Sequence, residues 1–235
     1  MNMEYKVAIL AAGVGSRMGG FSEYLNKVLI PIKGKPTICH IIEMFPENVE
    51  IVIAVGYKKE SLIKYLETAY PNRKLTFVNI DPFQGESSGP GYSLYCCKPH
   101  LNCPFVHVAG DTLVKEEVPI PDSDWLGVAP VENTERFCSA NVEEGKVIRL
   151  DDKIKTNNKY AYIGLLGVFD YESFWNALKN NEKIVDGEIQ VSNGINALLE
   201  KGLGIKEFTW FDTGTPSSYE HAQNNFPNGS SYQGE

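Results

Sequence analysis

Histidine is scarce in this chain, with four residues in 235, and no Ser/His/Asp or Cys/His arrangement is present for nucleophilic catalysis. No run of eighteen apolar residues occurs, which argues against a helical membrane span. Basic residues are outnumbered, 22 Lys and Arg against 30 Asp and Glu, and the net charge of −8 argues against broad nucleic-acid binding. A small anionic ligand stays compatible, because a local pocket can be basic on an acidic protein. Cysteine is sparse and unpaired: Cys39, Cys96, Cys97, Cys103 and Cys138 make an odd set, two of them adjacent, with no zinc-type spacing. Buried thiols in a reducing, cytoplasmic compartment are the expectation. The strand-like N-terminus leaves no room for a signal peptide. Two phosphate-binding patterns are missing as well. G-x-x-x-x-G-K-[ST] is absent, and G-x-G-x-x-G fails because Met18 stands where its last glycine belongs.

What is present reads as an α/β layered domain. Tyr5 to Leu10, "VEIVIAV" ending before Gly56, "LTFVNI" and "PFVHVA" are buried strands. Between them, Ile38, Ile41, Ile42 and Phe45, then Leu62, Ile63, Leu66 and Ala69, recur at helical spacing. Strand, helix, strand with short links predicts parallel pairing, with ligands gathered at the carboxyl ends of the strands. "WLGVAPV", "FCSANVE", "KVIRL", "YAYIGLLGVFD" and "KEFTWF" read as later strands, with helices from about Tyr171 and Ile189. One domain over 1–225 is expected, with 226–235 a tail or the start of a linker.

Three features carry chemistry. "LAAGVGSRM" follows the first strand: Gly13 and Gly15 let backbone amides approach a ligand, and Arg17 adds a planar cationic fork suited to phosphate. Lys27 supplies a second charge ten residues on. Asp111 and Asp212 each end an apolar strand, and two such carboxylates can share one Mg²⁺ that also binds substrate phosphates. Each feature has a plainer alternative: the loop as an ordinary strand-to-helix turn, either Asp as a helix or turn cap. His40 and His107 read as core, His100 and His221 as solvent-facing. Trp125, Tyr160, Tyr162, Phe169 and Trp210 read mostly as core, with Tyr162 or Trp125 a candidate wall for a second substrate. "VKEEV" reads as a solvated face.

In order and spacing from Val7 to about Ala222, "LAAGVGSRM", Lys27, "VAGD", "YIG" and "WFDTGTP" resemble the sugar-phosphate nucleotidyltransferase family. The resemblance implies a Rossmann-like α/β fold with a mixed, mostly parallel central sheet flanked by helices. It implies transfer of a nucleotidyl group from an NTP to a phosphorylated small molecule, with Mg²⁺ as cofactor. Leu10, Ala11, Ala12, Gly13, Gly15 and Arg17 would wrap the nucleotide, with Gln84, Gly89 and Gly91 near its base. Lys27 would neutralise the reacting phosphates, and Asp111 and Asp212 would ligate the metal. Lys153, Gly164 and Glu188 would meet the acceptor.

Departures refine the resemblance. Asn26 replaces the proline of the family's P-K-x-L, "LDDKIK" lacks the proline of E-K-P, and Asp186 and Gly187 stand before Glu188 where sugar enzymes often carry a basic residue. "GPGYSL" differs from the base-reading "PxGLAQA" of thymidylyl and uridylyl enzymes. The chain is therefore nearer the cytidylyltransferase branch, with CTP the favoured donor and capsule or other cell-surface polysaccharide synthesis the implied setting. The alternatives are a hexose 1-phosphate uridylyl- or thymidylyltransferase, and a non-catalytic sugar-nucleotide-binding regulatory subunit. A D-x-D glycosyltransferase fits less well, because Leu113 stands where its second acid belongs.

Overall fold

The computed structural model describes residues 3–85, 88–180, 184–185 and 187–227. In chain order the first half runs β1 (Lys6–Ala11), the short hairpin β2 (Pro31–Ile32) and β3 (Lys35–Pro36), α1 (Thr37–Glu43), β4 (Glu50–Val55), α2 (Lys59–Ala69), β5 (Leu75–Asn79), α3 (Pro90–Cys96) and β6 (Phe105–Ala109). The second half runs β7 (Thr112–Val114), β8 (Trp125–Pro130), β9 (Cys138–Glu143), β10 (Lys146–Asp152), β11 (Tyr160–Val168), α4 (Tyr171–Asn180), β12 (Ile184–Val185), β13 (Glu188–Ile189), α5 (Ser192–Leu199), β14 (Gly204–Glu207), β15 (Trp210–Asp212) and α6 (Pro216–Asn225).

Nine strands form one sheet in the order β5-β4-β1-β6-β11-β8-β14-β10-β9, with β9 also pairing β11. β5, β4, β1 and β6 are parallel, as the strand–helix alternation predicts. Their near-continuous apolar sequences follow from helices on both faces. α1, α2 and α6 cover one face, through residues such as Ile38, Ile42, Leu62 and Ala222. α3, α4 and α5 cover the other through Leu94, Phe174, Trp175 and Ile195. There Phe105 stacks on Trp175 with ring centroids 5.1 Å apart, and the indole N–H reaches the Leu101 carbonyl at 3.2 Å. Truncating such a ring costs about 3–5 kcal/mol.

The sheet is mixed and mostly parallel, as expected: only β11, antiparallel to both β6 and β8, and β10, antiparallel to β14 and β9, run against the other strands. Other expectations need correction. "KEFTWF" is not one strand. It breaks at Phe208–Thr209, so that β14 joins β8 in the large sheet while β15 pairs with β7 in a small one. The helix expected from Ile189 starts at Ser192, because Glu188–Ile189 pairs with Ile184–Val185. α3 went unread, its glycine-rich entry looking like loop. Phe169 is not core but 49% exposed. Phe226 belongs to the domain, buried with its ring 5.1 Å from His40 and 5.3 Å from Phe211. The rest of the expected tail, from residue 228, lies outside the described residues, as does Asp186.

None of the five cysteines is in a disulfide. Cys97 is buried, and that burial, reinforced by Cys96, pushes its thiol up to about 12, which makes it inert. No helix among the described residues is long and apolar enough to cross a membrane.

Candidate functional site

The carboxyl ends of β1, β4 and β6 meet at one edge of the sheet, and three consecutive carbonyls of the first loop are tied to three different neighbours. Leu10 O accepts from Gly110 N at 3.1 Å, Ala11 O from Asn26 Nδ2 at 3.0 Å, and Ala12 O from Tyr57 N at 2.8 Å. Packing forces small residues here. A Cβ on Gly56 would lie 2.8 Å from Ala12 O, and one on Gly110 would lie 2.5 Å from Leu10 O. Beyond Ala12 the loop opens. A side chain at Gly13 would point into free space, and Gly15 turns the chain with φ of 71°, a left-handed conformation glycine adopts without strain. The stem of Lys27 packs against Gly15, where a Cβ would sit 3.0 Å from Lys27 Cβ.

Lys27 Nζ lies 2.6 Å from Asp111 Oδ2, and Arg17 Nη2 lies 3.7 Å from the same oxygen. The second acid arrives by strand register. β7 and β15 are antiparallel with Thr112 opposite Asp212, and Thr213 N donates to Asp111 O at 2.9 Å. Gly214 marks the convergence. A Cβ there would stand 3.0 Å from Asp111 Oδ2, 3.0 Å from Asp212 Oδ1 and 3.2 Å from Arg17 Nη2. The two carboxylate oxygens are therefore separated by no more than twice 3.0 Å.

The environment pulls the two acids apart electrostatically. Burial weighs most on Asp111 and opposes its ionisation, but the Lys27 ammonium and then the Arg17 guanidinium outweigh it and hold the carboxyl below its ordinary range. Asp212 is pushed up, first by burial and then by the Asp111 charge, with Gly214 N, Ser218 and Arg17 only partly offsetting them. A divalent cation between the pair fits this imbalance, since it adds the positive charge that Asp212 is short of. Among the described residues no cluster of three or more His, Cys, Asp or Glu could hold a metal, so substrate oxygens or water would complete the shell.

The remaining candidates occupy other parts of the edge. Gly89, with φ of 117°, caps α3, and a Cβ there would strike Glu188 Cβ at 2.7 Å. A Cβ on Gly91 would strike Gln190 O at 2.6 Å. Gly91 is buried in that packing contact, and Gly89 and Glu188 share one wall. Gln84 is exposed. Gly164, with φ of 75°, lies over Ala109 and Thr112 at the irregularity in β11, its missing Cβ 2.6 Å from Ala109 Cβ. Lys153 is exposed at the end of β10, in left-handed backbone, beside the Asp152–Ser192 hydrogen bond of 2.9 Å. Trp125 is core, whereas the buried Tyr162 hydroxyl has no hydrogen-bond partner among the described residues.

Sequence reading missed Asn26, Tyr57 and Gly214. Gly214 was legible, as the glycine of "DTGTP" directly after a candidate ligand; Asn26 was seen only as a lost proline.

Residues 7–118 match the model of the MobA-like NTP transferase domain. The bifunctional protein GlmU of Methanococcus vannielii is 30% identical over 232 residues, covering 93% of this chain and 54% of that protein. The chain thus spans about half the length of such curated relatives. A putative glucose-1-phosphate thymidylyltransferase from Bacillus anthracis superposes with a TM-score of 0.79 at 22% identity, covering 98% of this chain and all of that one. A UDP-glucose pyrophosphorylase complexed with UDP-glucose gives 0.77 at 20% identity, covering 94% and 98% of the two chains.

Proposed function

We propose, from these likenesses, that the chain is a sugar-phosphate nucleotidyltransferase that transfers a nucleotidyl group from a pyrimidine nucleoside triphosphate to a sugar 1-phosphate. An acceptor phosphate oxygen attacks the α-phosphorus, the bond to the β-phosphate breaks, and pyrophosphate leaves with the electron pair. The observation that carries this reading is the convergence of Arg17, Asp111 and Asp212 around Gly214, with Lys27 on Asp111.

The acceptor phosphate is already ionised at neutral pH, its second pKa being about 6, so no general base is needed. The obstacle is repulsion between polyanions and charge on the leaving pyrophosphate. Gly13 and Gly15 expose backbone amides to the triphosphate, with Leu10, Ala11 and Ala12 shaping the floor. Arg17 takes the β- and γ-phosphates, and Lys27 the reacting ones. Asp111 and Asp212 would hold Mg²⁺, which would supply further positive charge to phosphate oxygens. Gln84, Gly89 and Gly91 border the base, while Gly164, Glu188 and Lys153 face the acceptor. Losing one such electrostatic contact costs about 3–4 kcal/mol of transition-state stabilisation.

UTP and dTTP are the favoured donors, supported by the named activities of the thymidylyltransferase and pyrophosphorylase neighbours. CTP is the second reading, supported by the "GPGYSL" entry to α3. A panel of NTPs with Mg²⁺ and sugar 1-phosphates or phosphocholine, read by pyrophosphate release, tests both. Release with UTP or dTTP and a sugar 1-phosphate supports the first reading; release with CTP alone transfers support to the second. No release with any pairing defeats both.

A further inference from the structure

Asn26 is fully buried, at 0% exposure, in the segment that leads into Lys27. Its Nδ2 donates to Ala11 O at 3.0 Å and Tyr57 O at 2.8 Å, while its Oδ1 accepts from Val28 N at 3.1 Å. Both amide protons are used, and a flipped amide would set oxygen against two carbonyls, so the partners fix its orientation. The three bonds join three chain segments at the site: the end of β1, the β4–α2 loop, and the 3-10 turn Lys27–Leu29, which Asn26 caps. Tyr57 extends the brace, its N–H on Ala12 O and its hydroxyl donating to Ser22 O and Glu23 O, each at 3.2 Å. Ser22 Oγ in turn donates to Gly15 O at 3.0 Å.

The backbone at Asn26, with φ of −60° and ψ of 134°, is one that proline adopts freely. Chain direction alone therefore gives no reason for asparagine. What proline lacks is the carboxamide, and a buried polar network with every group satisfied holds its members in one arrangement.

We propose that Asn26 is a positioning residue, whose carboxamide holds the turn bearing Lys27 at a set distance from the nucleotide loop. The proposal rests on the nucleotidyl-transfer reading, because it acts through Lys27 on the reacting phosphates. Substitution of Asn26 lets the Lys27 ammonium drift while the chain still binds NTP through Arg17 and the loop. The effect falls on turnover rather than on affinity.

The test uses Asn26→Ala and Asn26→Pro, alone and combined with Lys27→Met, with the donor and acceptor that the panel identifies. Each single Asn26 variant is expected to lower kcat by about 100-fold, the scale of an ångström's misplacement. KM for the NTP should stay within about threefold, since uniform binding is little touched. In the Lys27→Met background the same substitutions should lower kcat by under about threefold, because coupled residues are not additive. Full additive loss in that background overturns the proposal, as does wild-type kcat in Asn26→Pro. If the Ala and Pro variants do not fold by circular dichroism, Asn26→Ser, which retains an acceptor for Val28 N, replaces them in the cycle. Failure of Asn26→Ser to fold as well overturns the proposal in favour of a purely structural role. Absence of turnover in the wild type, by contrast, strikes the functional reading itself.

Discussion

Lys27 and Asp111, far apart in sequence, are closed on each other, with the ammonium 2.6 Å from the carboxylate oxygen. Under the proposed function Lys27 serves phosphate and Asp111 a metal, so triphosphate would draw Lys27 and Arg17 away and leave the carboxylate to a divalent cation. Nucleotide and cation should therefore reinforce each other. In titration calorimetry, UTP is expected to tighten Mn²⁺ binding, and Mn²⁺ to tighten UTP by the same factor, since coupling is reciprocal. Independent binding of the two would contradict the exchange.

Removing either partner should leave the fold and take the chemistry. Lys27→Met is expected to lower kcat by about 10²–10³-fold, in line with single donors in preorganised sites. Asp111→Asn should remove the metal response of turnover while the urea unfolding midpoint stays near that of the wild type. Full activity in Asp111→Asn would refute its assignment as a metal ligand.

Two glycines separate site geometry from fold. Gly214→Ala would place a methyl 3.0 Å from both carboxylate oxygens, so turnover should fall by at least about tenfold with little change in melting temperature. Gly164→Ala meets Ala109 Cβ at 2.6 Å and a φ of 75°, and should also destabilise the fold by about 1–3 kcal/mol. Parallel activity assays and thermal melts of the two variants distinguish these outcomes.

Acid stability should be lost in two stages. Burial, the main influence on His107, lowers its pKa to about 4 from an ordinary 6.5. The unfolded chain therefore takes the proton first, and this contribution, complete above 6.5, drains away as pH falls toward 4. Glu50 sits at about 2 against an ordinary 4.5, its burial penalty outweighed by hydrogen bonds from Lys74, Thr76 and Lys6. Its contribution is present above 4.5 and is lost as pH falls toward 2. Urea titrations of His107→Leu should flatten the upper stage alone, and those of Glu50→Gln the lower.

The parallel half of the sheet was legible in the sequence because each strand and helix carries its own period. "VEIVIAV" and "PFVHVA" can only be buried strands, and Ile38, Ile41 and Ile42 recur as a helix must. The site's residue types were equally plain, since a glycine loop ending in arginine and two strand-end acids advertise anion and cation chemistry. Arrangement was not. "KEFTWF" has the apolar content of one strand, and nothing local says that Thr209 leaves for the Glu116 carboxylate, which takes its N–H at 2.8 Å. Asn26 gives no signal either, because three carbonyl and amide partners contributed by tertiary structure account for its burial. Nor does anything local say that the 188–190 segment, remote in sequence, packs against Gly89 and Gly91.

The pairing of β7 with β15 also decides what a severed chain could do. Residues 7–118, the stretch that matches the domain model, hold Arg17, Lys27 and Asp111 but not Asp212. A proteolytic cut in the long excursion between Val114 and Trp210 would part Arg17, Lys27 and Asp111 from Asp212. Under the proposed function neither piece alone would hold both acids, so the chemistry would require the far end of the polypeptide to be folded against its beginning.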